Sequence, residues 1–180
     1  MSNGAAALDL HDRARRVRLL SCDVDGVLTD GRIFVCDDGS QIKAFSCHDG
    51  LGIKWLQASG VAVAWITGSL APAVSMRARD LGVVHVAQGA DDKLAIWEQL
   101  RSQLGVAAGE CAHIGDDLPD LPLLVRCGLA ATVPQAPASL REHAHYVTRS
   151  GGGSGAVREL CELILTARGE LEHRLRAYAS

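Results

Sequence analysis

Asp23 and Asp25 stand two residues apart at the end of a mostly apolar run, and Gly26 follows at once. In an extended chain such residues point to one side, so both carboxylates would share an edge. Two acids so close repel unless a cation, a proton or hydrogen bonds offset the charge. The glycine allows the backbone to turn directly after them. The stretch suits either a carboxylate site that takes Mg²⁺ or a solvated Asp-Gly turn, and by itself does not separate the two.

Three other places carry polar residues where an apolar run stops. Thr67 and Gly68 follow VAVAWI, residues 61–66. Lys93 precedes Leu94, Trp97, Leu100 and Leu104, which share one helical face. Gly115, Asp116, Asp117 and Asp120 follow CAHI, residues 111–114. Singly, these read as a cap, a solvated helix start and a surface loop. Jointly they suit phosphoryl transfer, which needs an in-line nucleophile, a cation and donors for dispersed negative charge. Asp23 would attack phosphorus and form an aspartyl-phosphate. Asp25 would protonate the leaving oxygen and then activate water. Asp23 and Asp116 would offer carboxylates to Mg²⁺, and Thr67 and Lys93 would hold phosphoryl oxygens.

These residues can meet only if the elements behind them put their tips at one end. Apolar runs of strand length at 17–24, 61–66, 83–86, 111–114, 128–133 and 145–148 alternate with helical stretches at 51–56, 71–80, 92–104, 121–125, 138–143 and 156–166. Asp49 reads as the N-cap of the first of these helices. The alternation predicts a three-layer α/β domain with a mostly parallel sheet, whose ligand sits beyond the C-terminal strand ends. Residues 32–36 and 41–46, joined by an Asp-Gly turn, read as a hairpin inserted after the first strand. Such a ribbon is marginal alone, so it must pack over the acids or on another subunit. Residues 1–16 show no firm element beyond a frayed helix, 151–155 read as the most flexible loop, and the tail from 169 reads as mobile or docked elsewhere.

The chain has 180 residues, 48% of them hydrophobic, enough for one sizeable core. With 18 basic and 21 acidic residues, net charge -3, nothing favours nucleic acid as a partner. The basic cluster of Arg13, Arg15, Arg16 and Arg18 reads as a solvated lead. No apolar run reaches the roughly 18 residues of a membrane span. Acids and arginines near the start argue against an export signal. Six cysteines without a CxxC pair imply a reducing cytoplasm and no disulfide framework. The histidines show no metal-ligand spacing and read as satisfied or solvated.

DVDGVLTD, WITG, Lys93 and GDDLPD resemble, in order, the four motifs of the haloacid dehalogenase-like phosphohydrolases. That resemblance implies a Rossmann-like domain. It also implies Asp23 as nucleophile, Asp25 as acid/base and donor of a backbone carbonyl to the metal, and Asp117 and Asp120 as support in the fourth motif. DVDGVLTDGRIF, FSCHDGLGIKWL, QGADDK, GDDLPDLPLL and GGGSGAVREL together resemble the subfamily acting on 3-deoxy-D-manno-octulosonate 8-phosphate, across about residues 17–168. It implies a domain without a large cap, a phosphorylated sugar acid as substrate and a homotetramer with shared active sites, closed in part by a neighbour's hairpin or tail. The chain departs from that subfamily at Ser69 and His48, where arginine is usual, and at Ser154, where a charged residue is frequent. A related subfamily, acting on nonulosonate 9-phosphates, usually carries glutamate at the Ser69 position. Serine cannot fork a carboxylate as arginine does. His48, Asp49, Ser69 and Arg77 are therefore the candidates for substrate contact, with Arg79 as a further cation. The other readings are a phosphatase of another small phosphate ester and a phosphatase-like binding scaffold.

Overall fold

The computed structural model describes residues 9–179, so the first eight residues of the expected lead lie outside it. Six parallel strands form the central sheet: β1 (Leu19–Cys22), β4 (Ala62–Ile66), β5 (His85–Ala87), β6 (Cys111–Gly115), β7 (Leu129–Thr132) and β8 (Tyr146–Val147). Their order is β5-β4-β1-β6-β7-β8. The hairpin, β2 (Phe34–Val35) with β3 (Gln41–Ile42), is a separate two-stranded ribbon, shorter than the sequence predicts. The helices are α1 (Leu10–Arg15), α2 (Cys47–Gln57), α3 (Pro72–Leu81), α4 (Lys93–Gln103), α5 (Leu121–Leu124), α6 (Ala138–Arg141), α7 (Ala156–Ala167) and α8 (Leu171–Ala179).

The central strands β1 and β6 are buried along their whole length, as apolar runs covered on both faces must be. Their register pairs Leu19 with Cys111 and Cys22 with Ile114. From β1 the chain steps outward to β4 and β5, then crosses back to β6 and steps the other way. Right-handed crossovers then put α2 and α3 on one face and α4, α5 and α6 on the other. The crevice where the direction reverses, between β1 and β6, is where such a sheet binds ligands.

Several expectations need correction. Residues 10–15 form a helix because the Asp9 carboxylate caps it, accepting from Asp12 N at 2.7 Å, and because Ala14 is buried. The Arg13 guanidinium donates to the Gly128 carbonyl at 2.6 Å, so the basic lead is partly structural. The tail forms α8 and turns back on its own domain, where the Tyr178 ring lies 5.7 Å from that of Trp55. The 151–155 loop is packed: Gly153 N donates to the Val27 carbonyl at 2.9 Å. A Cβ on Gly152 would stand 1.8 Å from the Gly26 carbonyl oxygen. Those glycines permit close backbone approach, not motion.

Asp49 is also placed differently. Ser46 caps α2, accepting from Asp49 N. The Asp49 carboxylate, 1% exposed, accepts from Arg158 N in the first turn of α7 at 2.7 Å. A carboxylate there satisfies an orphan amide and meets the positive end of the helix. This burial leaves it no surface for a substrate. Replacing Asp49 by Ala is expected to lower the unfolding free energy in urea by about 1–3 kcal/mol. An unchanged urea midpoint would remove this capping role.

Candidate active site

The ladder between β1 and β6 runs one residue past the strands, where Asp23 N donates to the Ile114 carbonyl at 3.0 Å. This places Asp23 at the mouth of the crevice, beside the turn that carries Asp116. Lys93, the first residue of α4, enters from the crossover that returns to β6. Its ammonium lies 2.8 Å from Asp23 Oδ1 and 2.7 Å from Asp120 Oδ1. One oxygen each from Asp23, Asp116 and Asp120 lies within 4.8 Å of the others. Asp23, Lys93 and Asp120 are 6%, 7% and 1% exposed, so these charges act with little screening. Gly26, at φ 88°, completes the cluster, because a Cβ there would fall 1.9 Å from Asp116 Oδ2.

Three carboxyls face one ammonium, and the imbalance shows in their protonation. Burial, then the charge of Asp120, raises the Asp23 carboxyl, while Lys93 opposes the rise. Burial, followed by the charges of Asp23 and Asp120, pushes Asp116 up to about 7. Burial alone would raise Asp120, but His113 and Lys93 more than offset it and hold it below its ordinary value. Burial works against the Lys93 ammonium, yet Asp120 and Asp23 raise it above the ordinary lysine value. The cluster thus carries a surplus of negative charge that a proton on Asp116 relieves when no cation is bound.

The donor set fits a hard divalent cation. Asp120 is the most engaged of the three: Oδ1 takes Lys93 and His113, and Oδ2 accepts from Asp116 N at 3.2 Å. Asp23 and Asp116 keep lone pairs, giving two carboxylates and no nitrogen or sulfur donor. Oxygen ligands few in number are what Mg²⁺-like ions take from protein.

The remaining expected residues divide. Thr67 is buried at the end of β4, next to β1, and its Oγ1 accepts from Ser69 N at 3.1 Å. Gly68 is exposed beside it. Asp25 is 30% exposed and pairs with Lys43, a residue that sequence reading passed over. Lys43 lies just after β3, so the hairpin's return strand supplies a cation to the second acid. No motif marks it, although the sequence allows the hairpin to pack over the acids; the fold shows that its return strand reaches Asp25. Gln135 was also missed, and its Nε2 donates to the Gly26 carbonyl at 3.3 Å. Asp117 caps the 3-10 turn at Leu118–Asp120, accepting from Leu118 N. His48 and Ser154 line one surface pocket with Arg149 and Arg158, at the start of α7. Arg77 points to α2, donating to the Ser46 carbonyl at 3.3 Å, and does not join the acids.

Comparisons with known proteins show what the chain is similar to. The family model for haloacid dehalogenase-like hydrolases matches residues 59–160. The 3-deoxy-D-manno-octulosonate 8-phosphate phosphatase of Yersinia pestis is 46% identical over 169 residues, 94% of this chain and 90% of that protein. The Escherichia coli K12 phosphatase of the same name is 43% identical over the same shares. The crystal structure of the Moraxella catarrhalis phosphatase, in complex with magnesium, phosphate and 3-deoxy-D-manno-octulosonate, superposes with a TM-score of 0.92. It is 41% identical and covers 94% of this chain and 97% of that one.

The Asp116 proton sets a pH dependence. With its carboxyl near 7, the cation-free fold binds this proton more tightly than the unfolded chain does. That contribution to stability is full at acid pH and is lost as pH rises through about 7. A divalent cation replacing the proton reverses the loss. The increase in Tm on adding saturating Mg²⁺ is therefore expected to grow from about pH 5 to about pH 8 and then level. Thermal denaturation with Mg²⁺ and with chelator across that range measures it, and an increase that shrinks with pH contradicts the assignment.

Proposed function

The chain belongs to the haloacid dehalogenase-like hydrolases and is a phosphatase among them; from that premise we propose that it hydrolyses 3-deoxy-D-manno-octulosonate 8-phosphate to the free sugar acid and inorganic phosphate. Mg²⁺ is the proposed cofactor, and the step would serve lipopolysaccharide precursor synthesis in the cytoplasm. The observation that carries the reading is the Asp23–Lys93–Asp120 cluster beside Asp116 at the switch of the sheet.

In this mechanism an Asp23 oxygen attacks phosphorus in line with the ester oxygen. The P–O bond to the sugar breaks as the bond to Asp23 forms, and Asp25 supplies the proton to the leaving oxygen. Asp25 then takes a proton from water as it attacks the aspartyl-phosphate, and phosphate departs with Asp23 regenerated. Lys93, already fixed against Asp23, meets the transferring oxygens, and Thr67 and Gly68 offer donors from the neighbouring strand end. Lys43 orients the Asp25 carboxylate between these proton transfers. Asp23, Asp116 and the Asp25 carbonyl would hold Mg²⁺, which when bound stabilises charge on the phosphoryl oxygens.

Recognition of the sugar acid is assigned to the pocket of His48 and Ser154, to Ser69 and to the hairpin. With Ile33, Phe34, Val35 and Ile42 each at least half exposed, the ribbon carries an apolar face suited to packing between copies of the chain. A homotetramer with shared sites is the corresponding assembly.

Phosphate release with Mg²⁺ from a panel of phosphorylated sugar acids, sugars and nucleotides tests the reading. A strong preference for 3-deoxy-D-manno-octulosonate 8-phosphate is expected; preference for a nonulosonate 9-phosphate, or weak turnover of all, would replace the substrate. Asp23→Asn is expected to lower kcat by at least about 10³-fold while the fold is kept, and retained turnover removes Asp23 as nucleophile. Sedimentation equilibrium is expected to give four times the chain mass, and a monomer overturns the assembly.

A further inference from the structure

Of the seven histidines, His113 alone is buried, with 0% exposure, in the middle of β6. A ring with two polar nitrogens at a sheet centre is costly unless both are satisfied, and an aliphatic residue would fill that place without the cost. Both nitrogens are engaged. Nδ1 lies 2.9 Å from Ser21 Oγ on β1, and Nε2 lies 3.2 Å from Asp120 Oδ1. A carboxylate oxygen only accepts, so Nε2 donates to Asp120, while Nδ1 is partnered by the Ser21 hydroxyl, which itself lies 3.2 Å from the Ala112 carbonyl.

The chain of contacts does not stop there. The same Asp120 oxygen takes the Lys93 ammonium at 2.7 Å, and Lys93 reaches Asp23 at 2.8 Å. The path leaves β1 at Ser21 and returns just past the end of β1 at Asp23, through β6, the 116–120 turn and α4. Without the ring, Asp120 Oδ1 keeps Lys93 as its only side-chain donor, and the carboxylate can rotate on its Asp116 N contact.

We infer that His113 is a positioning residue: through Asp120 it sets where the Lys93 ammonium stands against the transferring phosphoryl group. It touches neither substrate nor reacting atoms, and the inference rests on the phosphatase reading above. Because Lys93 opposes charge that grows toward the transition state, misplacing it acts on kcat more than on KM.

Two variants of similar polarity separate this from a packing role. In His113→Gln the longer amide reaches the Nε2 position and still donates to Asp120. In His113→Asn the shorter amide stays near Ser21 and leaves Asp120 without that donor. Turnover is measured with Mg²⁺ on 3-deoxy-D-manno-octulosonate 8-phosphate and on p-nitrophenyl phosphate, beside crystal structures of both variants. His113→Asn is expected to lose at least about tenfold in kcat with KM changed less than about threefold, and His113→Gln to stay within about threefold of the parent. The Asp120–Lys93 contact is expected to persist in the Gln variant and to open beyond about 3.5 Å in the Asn variant. Equal kcat in the two variants, or an undisturbed contact in His113→Asn, overturns the inference. If the parent cleaves neither ester, the phosphatase reading fails, and the two crystal structures still decide whether His113 places Lys93.

Discussion

The arrangement depends on one buried cation between two aspartates. Lys93 opens α4, where the helix dipole disfavours positive charge, and almost none of its side chain reaches water. Only the paired carboxylates of Asp23 and Asp120 make that position tenable. Buried ion pairs add little net stability over apolar packing, but removing one partner costs about 3–5 kcal/mol. The interaction is therefore a constraint more than a source of stability. It ties the end of β1, the start of α4 and the turn after β6 to one point. Three crossovers of the sheet thus have to be in register before the cluster can exist.

A second constraint is backbone proximity. The loop after Asp25 is closed in from two sides, by Asp116 against Gly26 and by Gly152 and Gly153 against the carbonyls of Gly26 and Val27. Side chains at Gly26 or Gly152 would occupy space that neighbouring atoms already fill. The last long helix of the domain, α7, starts directly after this glycine loop, and its first turn is held by Asp49 from α2. The acidic loop is thus positioned partly by a segment more than a hundred residues away in sequence, and that segment does so through its backbone.

Much of this was legible from the chain. Strand tips carrying Asp23, Thr67 and Asp116 are readable because, in an alternating α/β pattern, an unbroken apolar run that gives way to polar residues marks the end of a buried strand. The meeting of Lys93 with Asp23 follows from the same pattern once the crossover rule is applied. Other features were hidden for physical reasons. Asp49 in HDG looks like a cap, and only packing shows that it caps a helix from another part of the fold. Gly151 to Gly153 look like a flexible linker, since composition cannot distinguish freedom of the backbone from close contact. Lys43 and His113 carry no motif. A lysine on a short ribbon is ordinarily solvated and a histidine in a strand is ordinarily a core residue; what sets these two apart is Asp25, 18 residues from Lys43, and Asp120, 7 residues from His113. α1 reads from sequence as no more than a frayed helix; its Asp9 cap, the buried Ala14 and its packing on α7 make it a firm one.

On the proposed reading, chemistry and recognition obey different physics. Phosphoryl transfer needs fixed charges in a dry place, and the chain supplies them alone: Asp23 and Asp120 are buried and both pair with the buried Lys93. Recognition of a sugar acid needs surface that closes over a polar ligand. Here the chain offers an exposed ribbon, an open pocket at His48 and Ser154, and serine at a position where a fork-shaped cation would serve a carboxylate well. A ribbon whose apolar residues face solvent is unfinished by the ordinary rules of burial. Packing it against other copies would bury those residues and at the same time wall the open mouth beside Asp25, to which Lys43 already ties the ribbon. The same contact would then satisfy the hydrophobic demand of the hairpin and the steric demand of specificity. That coupling gives a small domain without a cap a physical reason to assemble.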